Sequence, residues 1–233
     1  MRRLLTPGAR RWLGAAAVLL LGLTVGGIVG LYAVKAEEVA ADARAVEAAS
    51  ALANTIRTAL EAVTAPADAV RAQIIAKDGA FNPYDLMTFA LQLLNQSLEE
   101  GHALKSLSIA PDNVIEAVWP LEGNEAAIGL DLAATPAQWD PIKDRVAAGK
   151  SVLSGPINLI QGGRAFVYRT PVLLGDGTYW GLSSAVLDYS TVADPAKAAA
   201  LKADVYILSR SLSGDVVDVF GSPEVPGQHV AIE

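Results

Sequence analysis

The stretch SLSIAPDNVIEAVWPLEGNEAAIGLDL, residues 106–132, decides the fold. Residues 106–110 alternate polar and apolar, as a half-buried strand does. Pro111, Asp112 and Asn113 are a turn signal, because proline fixes φ and Asp and Asn bond their own backbone. Val114, Ile115, Ala117 and Val118 resume an extended run that Pro120 closes. Gly123 and Gly129 suit positive φ. The loop between them delivers Asp131 to a fixed place, and Asn124 and Asp131 are expected to order it. Strand, turn, strand and loop in this order predict an antiparallel sheet. The stretch carries almost nothing that a catalyst would use.

Downstream, Pro136 opens a helix expected to run to about residue 148 and stop at Gly149, with Gln138, Trp139, Ile142 and Val146 at helical spacing. Residues 151–153 and 156–160 read as short strands around Ser154-Gly155. Gln161-Gly162-Gly163 is a tight hairpin turn. Residues 164–174 form a long strand with Phe166, Tyr168 and Thr170 on one face and Ala165, Val167 and Arg169 on the other. Gly175-Asp176-Gly177 turns the chain into another strand over residues 178–187. Residues 190–203 return to an Ala-rich helix, and residues 205–208 and 216–220 read as two further strands. Strands gathered into an antiparallel sheet with helices on one face predict an α+β fold.

Upstream, residues 12–34 contain no charge and are long enough to cross a hydrocarbon core of about 30 Å. Arg2, Arg3, Arg10 and Arg11 precede the run, and Glu37 and Glu38 follow it. The positive-inside rule places residues 1–11 in the cytoplasm and the bulk of the chain outside the cell membrane. Gly22, Gly26 and Gly30 repeat at four-residue spacing, either as a helix-pairing face or as the glycine common in such helices. A cleaved signal peptide is the competing reading. The apolar run is too long for a typical signal, which favours a retained single anchor.

Residues 36–65 hold no proline or glycine and are rich in helix formers, so they read as a stalk helix. In heptads, Val39, Val46, Ala53 and Leu60 share one core position, and Asp42, Ala49, Ile56 and Val63 share the other. That pattern fits a homodimer seam or a helix packing on its own domain. Pro66 is expected to break or restart the helix, with a shorter helix over residues 67–76. Asn82 caps a further helix with Pro83 at its first position, and Leu86, Phe89, Ala90, Leu93, Leu94 and Leu98 give it an apolar stripe.

The chain has 233 residues, of which 52% are hydrophobic. Its first 35 residues carry five basic side chains and no acid, which leaves 13 basic against 25 acidic residues in the remainder, a net charge of −12. Such a surface repels nucleic acid. There is no cysteine, which excludes a disulfide scaffold, a thiolate metal site and a cysteine nucleophile. His102 and His229 are the two histidines, and neither sits in a metal-ligand spacing. No serine lies near a candidate base motif. Glu122, Glu125 and Asp131 are the best carboxylate group for hydrolysis, but they stand between glycines in a surface-like loop, where capping turns is the simpler role. No catalytic residue, metal or cofactor is expected.

The central stretch resembles the CHASE domain, an extracytoplasmic sensor module of bacterial and plant membrane receptors. The resemblance covers about residues 104–188 and continues in GKSVLSGPINLIQGG (149–163), RTPV (169–172) and TYWGLSSAVLD (178–188). It implies a PAS-like sheet over residues 66–190 and an incomplete membrane-proximal subdomain over residues 191–233. It also implies that the sequence is a piece of a receptor whose cytoplasmic output is a diguanylate cyclase or a histidine kinase. In hormone-binding plant members, an Asp on the helix and a Thr on the long strand contact the purine. The matching positions here are Gln138 and Arg169, and the threonine of the earlier short strand corresponds to Ser154.

Gln138 and Arg169 depart from the purine pattern. A guanidinium facing a small cavity is a fork for a carboxylate or phosphate. Gln138, Ser154, Tyr168 and Arg169 are therefore the expected contacts of a small anionic ligand. Arg169 paired with a local acid, Asp131 or Asp140, is the alternative. The overall expectation is a small-molecule sensor acting through its stalk; the alternative is an anchored interaction or adaptor module without a small ligand.

Overall fold

A computed structural model describes residues 7–101, 104–192, 207–210 and 216–220; side chains are described at residue 24 and over residues 26–82, 84–101 and 104–191. The chain divides into two compact units with the boundary between Ala49 and Ser50. The second unit contains a five-stranded sheet: β1 (Leu104–Pro111), β2 (Ala117–Trp119), β3 (Val152–Asn158), β4 (Arg164–Leu173) and β5 (Tyr179–Asp188). The spatial order is β2-β1-β5-β4-β3, and every pairing is antiparallel. The α+β architecture and its antiparallel sheet follow the alternation read from the sequence, but helices pack on both faces rather than on the one expected, because the β2–β3 connection buries apolar residues of its own against the second face. A separate two-stranded antiparallel ribbon joins β6 (Ile207–Arg210) to β7 (Val216–Phe220).

Helix α1 runs without interruption from Pro7 to Ala76 and includes Pro66. The expected break at Pro66 does not occur. An interior proline costs a helix about 3 kcal/mol. Against this, Val63, Ala67, Val70 and Ile74 are completely buried against the sheet. At roughly 1.5–3 kcal/mol for each large side chain, Val63, Val70 and Ile74 together outweigh the proline. Ser183 Oγ also donates to the Ala67 carbonyl at 2.8 Å, which ties β5 to the helix beside the proline.

The same packing revises the heptad reading. Ala53, Ile56 and Val63 are buried in the domain's own core, so the heptad pattern beyond residue 50 describes a helix lying on its own sheet. In the first unit, Val39 and Val46 are exposed. Among the described residues no helix is long and apolar enough to cross a membrane. The side chains of residues 12–23 and 25, more than half of the expected 12–34 span, lie outside the described set.

Helix α2 (Pro83–Glu99) begins as its sequence dictates, with the Asn82 side chain accepting from the Tyr84 amide at 2.9 Å. It sets Leu86 and Ala90 into the core beside α1. On the other face of the sheet, the β2–β3 connection carries a single 3-10 turn (Glu125–Ala127) and two short helices, α3 (Pro136–Trp139) and α4 (Lys143–Ala147). The expected single helix over residues 136–148 is thus divided. Pro141 lies at the division and has no amide proton to continue the ladder. Ala127, Leu132, Ile142 and Val146 pack a second core against Ala110, Val152 and Leu182.

The two short strands expected around Ser154-Gly155 are one strand, β3, with a register shift between Ser154 and Ile157. Gly155 stands at φ +139°, and a Cβ there would lie 2.8 Å from the Ala165 carbonyl oxygen. Glycine is required by that close approach of β4. Helix α5 (Tyr189–Val192) follows β5; the remainder of the helix expected over residues 190–203 and both histidines lie outside the described residues.

Candidate ligand-binding site

Strand alternation sorts the sheet into two unlike faces. Leu107 and Ile109 on β1, Phe166 and Tyr168 on β4, and Ala185 and Leu187 on β5 join the core shared with α1 and α2. The opposite face is partly polar. Ser108 on β1 pairs with Ser184 on β5, which pairs with Arg169 on β4. In the next row, Ser106 pairs with Val186, Val186 with Val167, and Val167 with Ser154. Neighbouring strands lie about 4.8 Å apart, so Ser108 and Arg169 flank a hollow about 10 Å across.

A cavity occupies this hollow. It leaves about 40 Å³ for the centres of water-sized groups and is lined by Ser106, Ser108, Gln138, Arg169 and Ser184 among apolar side chains including Ile115, Val118, Leu130 and Val167. The β3–β4 turn contributes Leu159, Ile160 and Gln161.

Arg169 is 3% exposed. Its Nη1 donates to Ser154 Oγ at 3.0 Å and its Nη2 to Gln138 Oε1 at 2.7 Å. Both partners are neutral. Arg169 forms no salt bridge among the described residues, and Asp131 and Asp140 are engaged elsewhere. Burial pushes the guanidinium down from its ordinary 12.5 to about 10. Its Nε–H has no acceptor. Ser106 Oγ, 1% exposed on the same lining, has no partner either. Buried polar groups are normally satisfied, and two orphans around one hollow leave hydrogen-bonding capacity for an occupant.

The structure brings together three of the four residues singled out from sequence: Gln138, Ser154 and Arg169. Tyr168 stands on the opposite face. Its hydroxyl donates to Asp68 Oδ2 on α1 at 3.3 Å, and its ring joins the helix-side core. The reason is the strand period of two, which sends neighbours on β4 to opposite faces.

Asn124 and Asp131 are both hydrogen-bonded within the β2–β3 connection. Asn124, 3% exposed, donates to the Pro120 carbonyl at 3.0 Å and accepts from Gln161 Nε2 at 3.1 Å. Asp131 accepts from the Ala134 amide at 3.0 Å, and its carbonyl accepts from Thr135 Oγ1 at 2.8 Å. These bonds fix the entry to α3 and with it Gln138. Among the described residues no group of His, Asp or Glu has the arrangement of a metal site.

Ser106, Ser108, Ser184 and Gln161 were not singled out by the sequence reading. The serines carry a signal nonetheless: polar residues at every second position of an apolar strand mark a face that is not a plain core.

A family model described as the CHASE domain matches residues 83–212. No curated protein matches the chain. Among solved structures, the ligand-binding domain of the amino acid chemoreceptor PctC of Pseudomonas aeruginosa, in complex with GABA, is 15% identical. The match covers 76% of this chain and 74% of that one with a TM-score of 0.53. An extracellular ligand-binding receptor from Desulfohalobium retbaense is 18% identical, with 64% of this chain and 25% of that one covered and a TM-score of 0.48. The sensor domain of the Vibrio cholerae histidine kinase DctB is 15% identical, with 74% and 64% covered and a TM-score of 0.48. The chain thus spans a quarter of the Desulfohalobium receptor. At 15% identity, what the chain shares with the PctC domain is the fold.

Proposed function

We propose a sensor function from one premise: the chain belongs to the CHASE domain family. The observation that carries the reading is Arg169, a buried cation with neutral partners and a spare donor on a cavity wall. Holding that charge unpaired is costly, and an anion in the cavity relieves the cost. The protein is the extracytoplasmic input module of a membrane receptor, and its ligand is a small anion bound by Arg169, with Gln138 and Ser154 holding the guanidinium. A polar hollow with free space supports this reading over an adaptor without a small ligand.

Residues 12–34 anchor the module, with residues 1–11 in the cytoplasm. Ile28, Val29, Leu31, Tyr32 and Val34 stand exposed on α1, the condition that lipid relieves. Two copies associate through residues 36–49, where Val39 and Val46 are exposed. Ligand binding biases the arrangement of that pair, and α1 passes the bias to a diguanylate cyclase or histidine kinase output.

Thermal unfolding of the full 233-residue chain in detergent micelles tests the binding claim. The probes are inorganic phosphate, sulfate, and short mono- and dicarboxylates. A true ligand at roughly 100 times its Kd stabilises by about 2.7 kcal/mol. The expectation is a rise in Tm with at least one anion that disappears in Arg169→Gln. The proposal fails if no anion raises Tm, or if the rise survives the substitution.

A further inference from the structure

The residues around Arg169 narrow the class of anion. Three features of the cavity act together. First, it offers one cation, and none of its lining residues is Asp or Glu. A second carboxylate on the ligand would find no second guanidinium or ammonium there. A ligand ammonium would find no carboxylate. Either extra charge would be desolvated without compensation. Second, the polar groups across from Arg169 are neutral hydroxyls. Ser106, Ser108 and Ser184 all line the hollow, and Ser106 Oγ is buried with no partner. A neutral hydroxyl on the ligand is the group that satisfies a serine as donor or acceptor without importing charge. Third, the free space is small, which favours a short chain.

We infer that the ligand is a short monocarboxylate with a neutral hydroxyl on its tail, bound with its carboxylate on Arg169 and its hydroxyl on Ser106. This rests on the sensor reading given above. No amino acid, dicarboxylate or phosphate matches that set of groups. Arg169 Nε–H is the free donor for the carboxylate, and the apolar side chains of Val118 and Val167 enclose the methylenes.

A matched four-carbon series separates the possibilities: 4-hydroxybutyrate and 3-hydroxybutyrate against butyrate, 4-aminobutyrate and succinate. Calorimetric titration of the full chain in detergent gives the affinities. The better of the two hydroxy acids is expected to bind about 10-fold tighter than butyrate, the gain of one satisfied hydroxyl. It is expected to bind roughly 100-fold tighter than 4-aminobutyrate and succinate, which bury an unmatched charge. Ser106→Ala removes the hydroxyl while leaving the fold's packing nearly intact. It should erase the hydroxy acid's advantage over butyrate.

The outcomes separate the two levels of the reading. If 4-aminobutyrate or succinate binds as tightly as the hydroxy acids and Arg169→Gln abolishes it, the sensor reading stands and the ligand class is wrong. If Ser106→Ala leaves the hydroxy acid's advantage in place, the assignment of Ser106 is wrong. If no member of the series binds and no other small anion raises Tm, the sensor reading itself falls. Should Arg169→Gln fail to fold, the Ser106→Ala comparison still decides the class.

Discussion

Arg169→Met should make the empty domain more stable while removing its ligand. The drop of the Arg169 pKa from 12.5 to about 10 is caused by burial. At about 1.36 kcal/mol per pH unit, that is a burial cost of about 3 kcal/mol at neutral pH. Methionine fills similar space without charge. Two hydrogen bonds are lost, at about 1 kcal/mol each. Ser154 Oγ retains its bond to the Val167 carbonyl at 3.2 Å, and Gln138 is only half-buried and can turn to water. The net gain is about 1–2 kcal/mol, which for a chain of this size raises Tm by roughly 2–8 °C. Thermal unfolding of the ligand-free wild type and variant measures it. A lower Tm in Arg169→Met would refute the reasoning, because Arg169 would then be a structural strut rather than a strained receptor group.

The sign with pH follows from the same shift. Arginine's folded pKa lies below its unfolded value, so between about 10 and 12.5 the unfolded chain binds more protons. Arg169 therefore makes stability rise with pH across that window, and the cost is fully present below 10. Tyr179 works in the opposite direction. Its hydroxyl is pushed up to about 12, mainly by burial and also by the nearby Asp112. Its stabilisation is full below the unfolded value of 10 and is lost as pH rises toward 12. Wild type minus Arg169→Met cancels the tyrosine, and that difference should shrink steadily above pH 10.

Gly181→Ala should be among the most damaging single changes, because a Cβ would clash with the Ala110 carbonyl oxygen at φ +148°. A loss above about 3 kcal/mol is expected in chemical denaturation, and a near-neutral result would mean that β1 and β5 separate more easily than their register implies. Ile74→Ala removes a fully buried side chain from the interface of α1 with the sheet and should cost about 2–5 kcal/mol, read as a lower denaturation midpoint. Asn124→Ala breaks the links to Pro120 and Gln161; it should cost about 1–3 kcal/mol, and amide exchange should quicken in the 120–134 loop and in the turn at 159–163.

The antiparallel strands and their turns were legible because their signals are local. Pro111-Asp112-Asn113 fixes one turn with Asp112 and Asn113 both at positive φ, and Gln161-Gly162-Gly163 fixes another, where the Leu159 amide bonds the Gly163 carbonyl at 3.0 Å. Pro66 was misleading because its local penalty is set against burial contributed by β1, β4 and β5, which lie 38 or more residues away in sequence. The heptads beyond residue 50 misled for the related reason that a 3.5-residue stripe looks the same whether it meets a second helix or a sheet. Arg169 was legible as the wrong residue for a purine site, standing in an otherwise apolar strand. Its neutral partners were not, because only the tertiary placement of α3 brings Gln138 within 2.7 Å.

Tyr168 exposes what the alternation of β4 does for a sensor. Arg169 faces the cavity, while Tyr168, one residue earlier, bonds Asp68 on α1. On β5, Ser184 faces the cavity and Ser183 bonds the Ala67 carbonyl. Two neighbouring strands thus each present one residue to the hollow and the adjacent residue to the same turn of α1, just beyond Pro66. A strand cannot rotate one side chain's backbone without moving its neighbour's, since φ and ψ are its only soft dihedrals. In the proposed sensor, a backbone shift at Arg169 or Ser184 on anion binding would work against these two hydrogen bonds, at a place where the helix lacks one of its own. The turn of α1 that follows Pro66 thus lies on the face of the sheet opposite the cavity, tied to the two strands that line it.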